Sequence, residues 1–240
     1  MFIKLVVLMI KNEFIKFFRP SIIIVYLVII MMLTGMFGII INENYIGNYN
    51  LEDLKIFFKM INSNIIYYIL PLFIIFFSYS VFTKDIYEGK LKFFMISGEN
   101  RIRLFLAKVC MLLLITLVFV IVINILSAVM TAILSGNFNN LFSYFNIEYI
   151  VKLTILLIPI LMVAIFISCV SQNSIIISIA LFFVLIAFNE FNKTVGEYTI
   201  TGVVREYLYN GEFRLLAVII PAIVLAIINI FMFNRRDMVE

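Results

Sequence analysis

Hydrophobic positions along the chain form six long runs, which shorter polar or charged segments separate. Each run is close to the ~20 apolar residues that an α-helix needs to cross the hydrocarbon core of a bilayer. The pattern therefore predicts an all-α membrane protein with six transmembrane helices in a single transmembrane domain, residues 1–240. The predicted spans cover residues 21–41, 65–82, 104–134, 149–170, 174–191 and 215–233.

Residues 1–19 precede the first span and mix apolar positions with charges. At helical spacing Lys4 and Lys11 share one face, while Phe2, Val6 and Phe17 cover much of the other. This pattern is typical of an amphipathic helix that lies in the membrane interface. A basic lead-in that only fixes orientation is the alternative.

Composition agrees with the pattern of apolar runs. The chain is 65% hydrophobic and 13% charged, whereas a soluble domain is about 45–50% apolar and about 25% charged. The net charge of +4 is no sign of a nucleic-acid partner in such a chain, and the positions of the charges matter more than their sum.

Residue types that catalysis or metal binding would use are few. Histidine is absent, which excludes histidine zinc sites, histidine-assisted nucleophiles and histidine proton relays. No G-x-x-x-x-G-K-[ST] loop occurs, so no phosphate-binding loop is predicted. Cys110 and Cys169 both lie in apolar runs, and we interpret them as small buried hydrophobic residues. We therefore predict no catalytic, metal or cofactor site in this chain.

The distribution of basic residues predicts the orientation in the membrane. Of the 18 Lys and Arg residues, twelve fall in the N-terminal segment, residues 83–108 and the C-terminal tail, and six fall in the remaining connections. Basic residues are enriched on the cytoplasmic side. We therefore predict a multi-pass protein of the cell membrane with both termini in the cytoplasm.

Polar residues inside the predicted spans are few, and no charge lies at a span centre. Asn124 and Asn229 are expected to form hydrogen bonds between helices. An ion-coupled carrier and an intramembrane enzyme usually carry buried charge, so both are disfavoured. Energy for transport would then come from a partner.

The segment 83–108 is the longest strongly charged stretch between two spans. Lys84 to Glu88 and Glu88 to Lys92 have the i,i+4 spacing of helical ion pairs. We predict a helix over 84–96, a break with Gly98 as its cap, and a second helix from Arg101. The alternative is a loop whose basic residues only set topology and meet anionic lipid.

This segment resembles the first cytoplasmic loop of bacterial ABC-2 type permeases, the membrane subunits of ABC exporters. Residues 97–98 form the break where the family often has proline. The order of the other parts, including a short turn between spans four and five, is also similar to the family. The residues that carry the resemblance and form the predicted ATPase-coupling loop are Asp85, Glu88, Gly89, Lys90, Leu91, Phe94, Ser97, Gly98, Arg101 and Lys108.

The resemblance implies a permease subunit that is not itself an enzyme. It implies ATP and Mg²⁺ bound by a separate cytoplasmic ATPase, a second copy or a homologous permease as dimer partner, and contact with membrane lipid. The apolar spans favour a hydrophobic or amphipathic substrate such as an antimicrobial peptide, a lipid or a drug. The alternative is a membrane immunity protein that sequesters a peptide without transport.

The connection 189–214 contains the apolar residues Val203, Val204, Tyr207 and Leu208. They are enough for a short helix that dips back into the outer leaflet, and an ordinary exposed loop is the alternative.

Overall fold

A computed structural model of the 240-residue chain describes residues 20–44, 51–88, 101–135 and 146–235. The predicted interfacial helix, residues 1–19, lies outside the described residues. Within them the regular structure is helical and no strand occurs. The elements are α1 (Pro20–Asn44), α2 (Leu51–Asn64), α3 (Leu70–Ser78), α4 (Lys84–Tyr87), α5 (Arg101–Ser135), α6 (Ile147–Val170), α7 (Ser174–Phe191), α8 (Lys193–Gly196), α9 (Ile200–Asn210) and α10 (Leu215–Arg235).

Five helices among the described residues are long and apolar enough to cross a membrane. They are Asp53–Tyr87, Arg101–Leu134, Ile147–Val170, Ser174–Phe191 and Leu215–Arg235. The prediction of an all-α membrane protein is therefore confirmed. Helix α1 covers the predicted first span and contributes a shorter apolar stretch, Val28–Ile40, so six spans remain a prediction.

The second span belongs to a helix much longer than the predicted 65–82. Helices α2, α3 and α4 follow one another without a break through two π-helical turns, Ile65–Ile69 and Tyr79–Thr83, and we call the whole element the long helix. Pro71 is the second residue after the first π-turn, a position where the missing N–H is tolerated because the regular ladder is already interrupted.

Helix α6 forms the centre of the bundle and packs against α3, α5, α7, α9 and α10. Asn146 caps its first turn, since the Asn146 side chain accepts hydrogen bonds from the backbone N–H groups of Glu148 and Tyr149. Helices α7 and α10 have long exposed apolar faces. Such faces suit contact with lipid or with another membrane helix.

Candidate coupling site and polar clusters

The end of the long helix is joined to α5 by a buried ion pair. Nζ of Lys108 lies 2.6 Å from Oδ2 of Asp85, and both side chains are 2% exposed. The same ammonium donates a hydrogen bond of 2.9 Å to the carbonyl oxygen of Val81, which belongs to the second π-turn. The pair therefore fixes the two helices that flank residues 89–100.

The end of α6 and the start of α7 are bound to the same end of the long helix. Thr83 Oγ1 donates to the carbonyl oxygen of Ser168 at 2.9 Å and lies 2.7 Å from Ser174 Oγ. Since Ser174 begins α7, these contacts connect the fourth and fifth spans to the ion pair's neighbourhood.

The last span also reaches this end of the bundle. Arg101, the first residue of α5, donates from Nη1 to the carbonyl oxygen of Asn234 at 2.7 Å. Phe105 packs between Phe82 and Phe233, with ring centroids 5.6 Å and 5.4 Å away. The start of α5 is therefore connected by contacts to both α10 and the long helix.

These contacts show where the predicted coupling residues lie. Asp85 and Lys108 meet in the ion pair, and Glu88 lies 3.9 Å from Lys84 as the i,i+4 spacing predicts. The helix ends at Tyr87, with Glu88 in a turn, so the prediction of one helix over 84–96 is wrong at this point. Outside the described residues lie Gly89, Lys90, Leu91, Phe94, Ser97 and Gly98.

The sequence reasoning missed that Asp85 and Lys108 are partners. A signal was present, because Lys108 lies within the apolar run of the third span and Asp85 lies just past the apolar run of the second. A charge in such a place calls for a partner at the same depth.

Polar residues between the spans largely follow prediction. Asn62 Nδ2 donates to Asn124 Oδ1 at 3.1 Å, and Asn229 Nδ2 donates to the carbonyl oxygen of Met162 at 2.9 Å. Both predicted interhelical asparagines are therefore confirmed. Cys169 is buried as expected, whereas Cys110 is exposed on the surface of the bundle, so its predicted burial is wrong; α5 turns that residue outward.

The opposite end of the bundle is organised around Asn189, which is 1% exposed. With its carboxamide in the orientation that satisfies both atoms, Nδ2 donates to Thr199 Oγ1 at 2.6 Å, and Oδ1 accepts from Thr201, Tyr67 and the backbone N–H of Gly202. One side chain thus joins α7, the start of α9 and the long helix.

Helix α9 contains the apolar residues predicted to form a short helix in the connection 189–214. Val203, Val204 and Leu208 are at most 2% exposed, and α9 packs against α6, α7 and α10. Ser63 Oγ donates to the carbonyl oxygen of Leu208 at 3.4 Å. The helix is therefore integral to the bundle, and an ordinary exposed loop is excluded for these residues.

Close backbone contact and one left-handed residue set the ends of α9. A Cβ on Gly202 would lie 1.8 Å from the carbonyl oxygen of Gly196, so glycine is required at this position. Thr199 Oγ1 accepts from Gly202 N–H at 3.0 Å as the N-cap. Gly211, with φ of +80°, ends the helix in the left-handed conformation that glycine adopts without strain.

Charged groups cluster around α9. Arg205 Nη2 lies 3.2 Å from Glu190 Oε2, and Arg214 Nη2 lies 3.3 Å from Glu197 Oε2 and 2.7 Å from Glu212 Oε2.

A cavity of about 560 Å³ opens beside these groups. Burial, with the neighbouring hydroxyls of Tyr68 and Tyr67, raises the pKa of Tyr209 to about 12, so this phenol is neutral at physiological pH. The lining includes Tyr68, Glu190, Glu197, Arg205, Glu206 and Tyr209.

The fold and its buried contacts define the class of protein to which the chain belongs. Its long apolar helices are connected by a buried ion pair at one end of the bundle and by the hydrogen bonds of Asn189 at the other, as in a multi-pass membrane protein. Within the described residues no group of three His, Cys, Asp or Glu side chains could hold a metal ion.

A family model described as ABC-2 family transporter protein matches residues 9–189, about three quarters of the chain. The protein belongs to this family. It is therefore a membrane permease component of an ABC transporter, and the predicted family resemblance is confirmed. Neither a curated protein nor a solved structure matches the chain.

Proposed function

We propose that the chain is the membrane-spanning subunit of an ATP-driven exporter, in which a separate cytoplasmic ATPase binds and hydrolyses ATP with Mg²⁺. Two membrane subunits, either two copies or this chain and a homologue, enclose the transport pathway. The substrate is a hydrophobic or amphipathic molecule such as an antimicrobial peptide, a lipid or a drug. Membership of the ABC-2 family is the observation that carries this proposal.

The contacts around the ion pair support a mechanism of coupling. Residues 89–100 join α4 to α5, and Asp85 and Lys108 hold these two helices together at 2.6 Å. Arg101 adds a 2.7 Å hydrogen bond to the end of α10. A force applied by the ATPase to residues 89–100 would therefore reach spans two, three and six together.

The predicted orientation agrees with this mechanism. Because basic residues are enriched on the cytoplasmic side, the Asp85 end of the bundle would face the ATPase and the α9 end would face outward. Exposed apolar faces on α7 and α10 are available to lipid and to the second membrane subunit.

The proposal is tested by purifying the tagged chain together with the ATPase encoded next to its gene. We expect a stable complex with ATPase activity, and we expect the rate of ATP hydrolysis to change when a transported substrate is added. Glu88→Arg, Arg101→Glu and replacement of residues 89–100 by a Gly-Ser linker of equal length should each weaken the complex. Lys55→Glu is the matched control, because this exposed charge lies at the other end of the long helix.

Two results would contradict the proposal. Undiminished complex formation by the linker variant would refute docking on residues 89–100. Protection of a sensitive host by the chain expressed without any ATPase would favour a membrane protein that sequesters a peptide.

A further inference from the structure

We infer that the cavity beside α9 is a binding site for an organic ammonium group. The inference goes beyond the proposed function and does not depend on it, because binding is measured without an ATPase. For brevity we call the cavity lined by Tyr68, Glu190, Glu197, Arg205, Glu206 and Tyr209 the tyrosine–glutamate cavity.

The size of the cavity suits a small organic ligand. Its volume of about 560 Å³ falls in the range of roughly 300–1,000 Å³ that small-molecule sites occupy. It is bounded by three elements: Tyr68 on the long helix, Glu190 at the end of α7, and the polar face of α9. Residues from separate elements thus converge on one space.

The charge of the lining favours a cation. Glu190 is paired with Arg205 at 3.2 Å, and Glu197 is paired with Arg214 at 3.3 Å. Glu206 accepts a hydrogen bond from the Asn210 amide, and no cation among the described residues forms an ion pair with it. One carboxylate of the cavity is therefore left to balance the charge of a ligand.

Two aromatic rings distinguish an organic cation from a metal ion. Tyr68 and Tyr209 line the cavity, and aromatic rings attract ammonium groups through their quadrupoles. The ring of Tyr209 is held in place, since its hydroxyl donates to Asn64 Oδ1 at 3.0 Å. The carboxylates do not converge as metal ligands would, because no metal-binding group of three occurs among the described residues.

The test uses the full chain, purified and placed in nanodiscs of zwitterionic lipid, with empty nanodiscs as the blank. The probe is benzyltrimethylammonium, and phenylmethanesulfonate is the anionic comparison of similar size. Equilibrium dialysis measures binding. We expect the cation to bind and the anion not to bind.

Substitutions assign the binding to the cavity. Glu206→Gln should weaken binding of the cation about tenfold, as expected for losing one charged partner. Tyr209→Leu should weaken it by about two- to fivefold, while Tyr209→Phe, which keeps the ring, should stay close to the original protein. Glu148→Gln is the control, because Glu148 is an exposed carboxylate at the same end of the bundle outside the cavity.

Circular dichroism and size-exclusion chromatography establish that each variant is folded. The inference is overturned if the original protein does not bind the cation, or if it binds the sulfonate equally well. It is also overturned if folded Glu206→Gln and Tyr209→Leu both bind as the original protein does. Should Tyr209→Leu fail to fold, Glu206→Gln and Tyr209→Phe still decide.

Discussion

The buried ion pair of Asp85 and Lys108 allows a quantitative test of how the two flanking helices are held together. Substituting Lys108→Met removes the ammonium 2.6 Å from a carboxylate that is 2% exposed, and also removes the hydrogen bond to the Val81 carbonyl oxygen. Removing one partner of a buried pair typically costs about 3–5 kcal/mol. We expect Lys108→Met and Asp85→Leu each to lower the free energy of unfolding by an amount of this order.

The double variant should behave differently from the two single ones. Replacing both charges with apolar side chains of similar volume removes the desolvation cost along with the attraction, and such replacements are often neutral or stabilising. Asp85→Leu/Lys108→Met should therefore lie within about 1 kcal/mol of the original protein. The double-mutant cycle would then give a coupling free energy close to the sum of the two single losses, about 5–11 kcal/mol.

The assay is reversible unfolding by SDS in mixed micelles, followed by far-ultraviolet circular dichroism because the chain contains no Trp. Lys84→Met is the control on the same helix: Lys84 and Glu88 are 3.9 Å apart with side chains 48% and 43% exposed, and an exposed pair contributes about 0.5 kcal/mol or less. If the losses of the two single variants add up in the double variant, Asp85 and Lys108 are not coupled and the reasoning is refuted. It is also refuted if Lys108→Met loses no more stability than Lys84→Met.

Three further predictions concern α9 and its neighbours. Gly202→Ala places a Cβ 1.8 Å from the Gly196 carbonyl oxygen and should cost at least about 3 kcal/mol; Gly35→Ala, with no atom within 4 Å of its added Cβ, should leave the melting temperature nearly unchanged. Asn189→Leu deprives several buried donors of their acceptor and should lower the free energy of unfolding by at least about 2 kcal/mol. An unchanged melting temperature would show that Asn189 does not hold α7, α9 and the long helix together. The folded-state pKa of Tyr209 is raised from 10.0 to about 12, so the stabilisation by its neutral phenol is complete below pH 10 and is lost as the pH rises towards 12. In thermal melts, Tyr209→Phe should lose less stability over this interval than the original protein.

The spans were predictable because a lipid environment leaves the backbone few alternatives. A helix satisfies every backbone hydrogen bond internally, so a long apolar run specifies a helix with little help from tertiary contacts. The predicted 174–191 coincides with Ser174–Phe191, and the predicted 215–233 differs from Leu215–Arg235 by two residues at one end.

The extension of the second span towards the N-terminus was not predicted, because charged residues in the extension lowered its average hydrophobicity. Residues 51–64 contain Lys55 and Lys59, which suggested a connection. In the fold Leu54 and Ile61 are at most 2% exposed and pack towards the bundle, while the charged residues lie on the other face. The helical periodicity was present, but the number of apolar residues was too low for a span.

Local sequence patterns could not predict which polar side chains form pairs. Asp85 and Lys108 are 23 residues apart, and Tyr67 and Asn189 are 122 apart. Spacing within one helix does not determine which residues face each other across two helices. The sequence pattern therefore singled out Asp85 and Lys108 as predicted coupling residues, and only the fold shows that they form a pair.

The distribution of contacts along the long helix suggests how the bundle could move without losing its connections. Its directed polar contacts to other helices fall in two groups, one at Asn62 and Tyr67 and the other at Thr83 and Asp85. The stretch between the two groups packs through apolar rings: Phe73 and Phe77 lie against Phe119 with ring centroids 5.4 Å and 5.2 Å away. Apolar packing is non-directional, so small tilts cost little there, whereas hydrogen bonds weaken steeply when their geometry is distorted. A tilt of the spans would therefore pivot on the two groups of directed bonds and change the apolar packing between them.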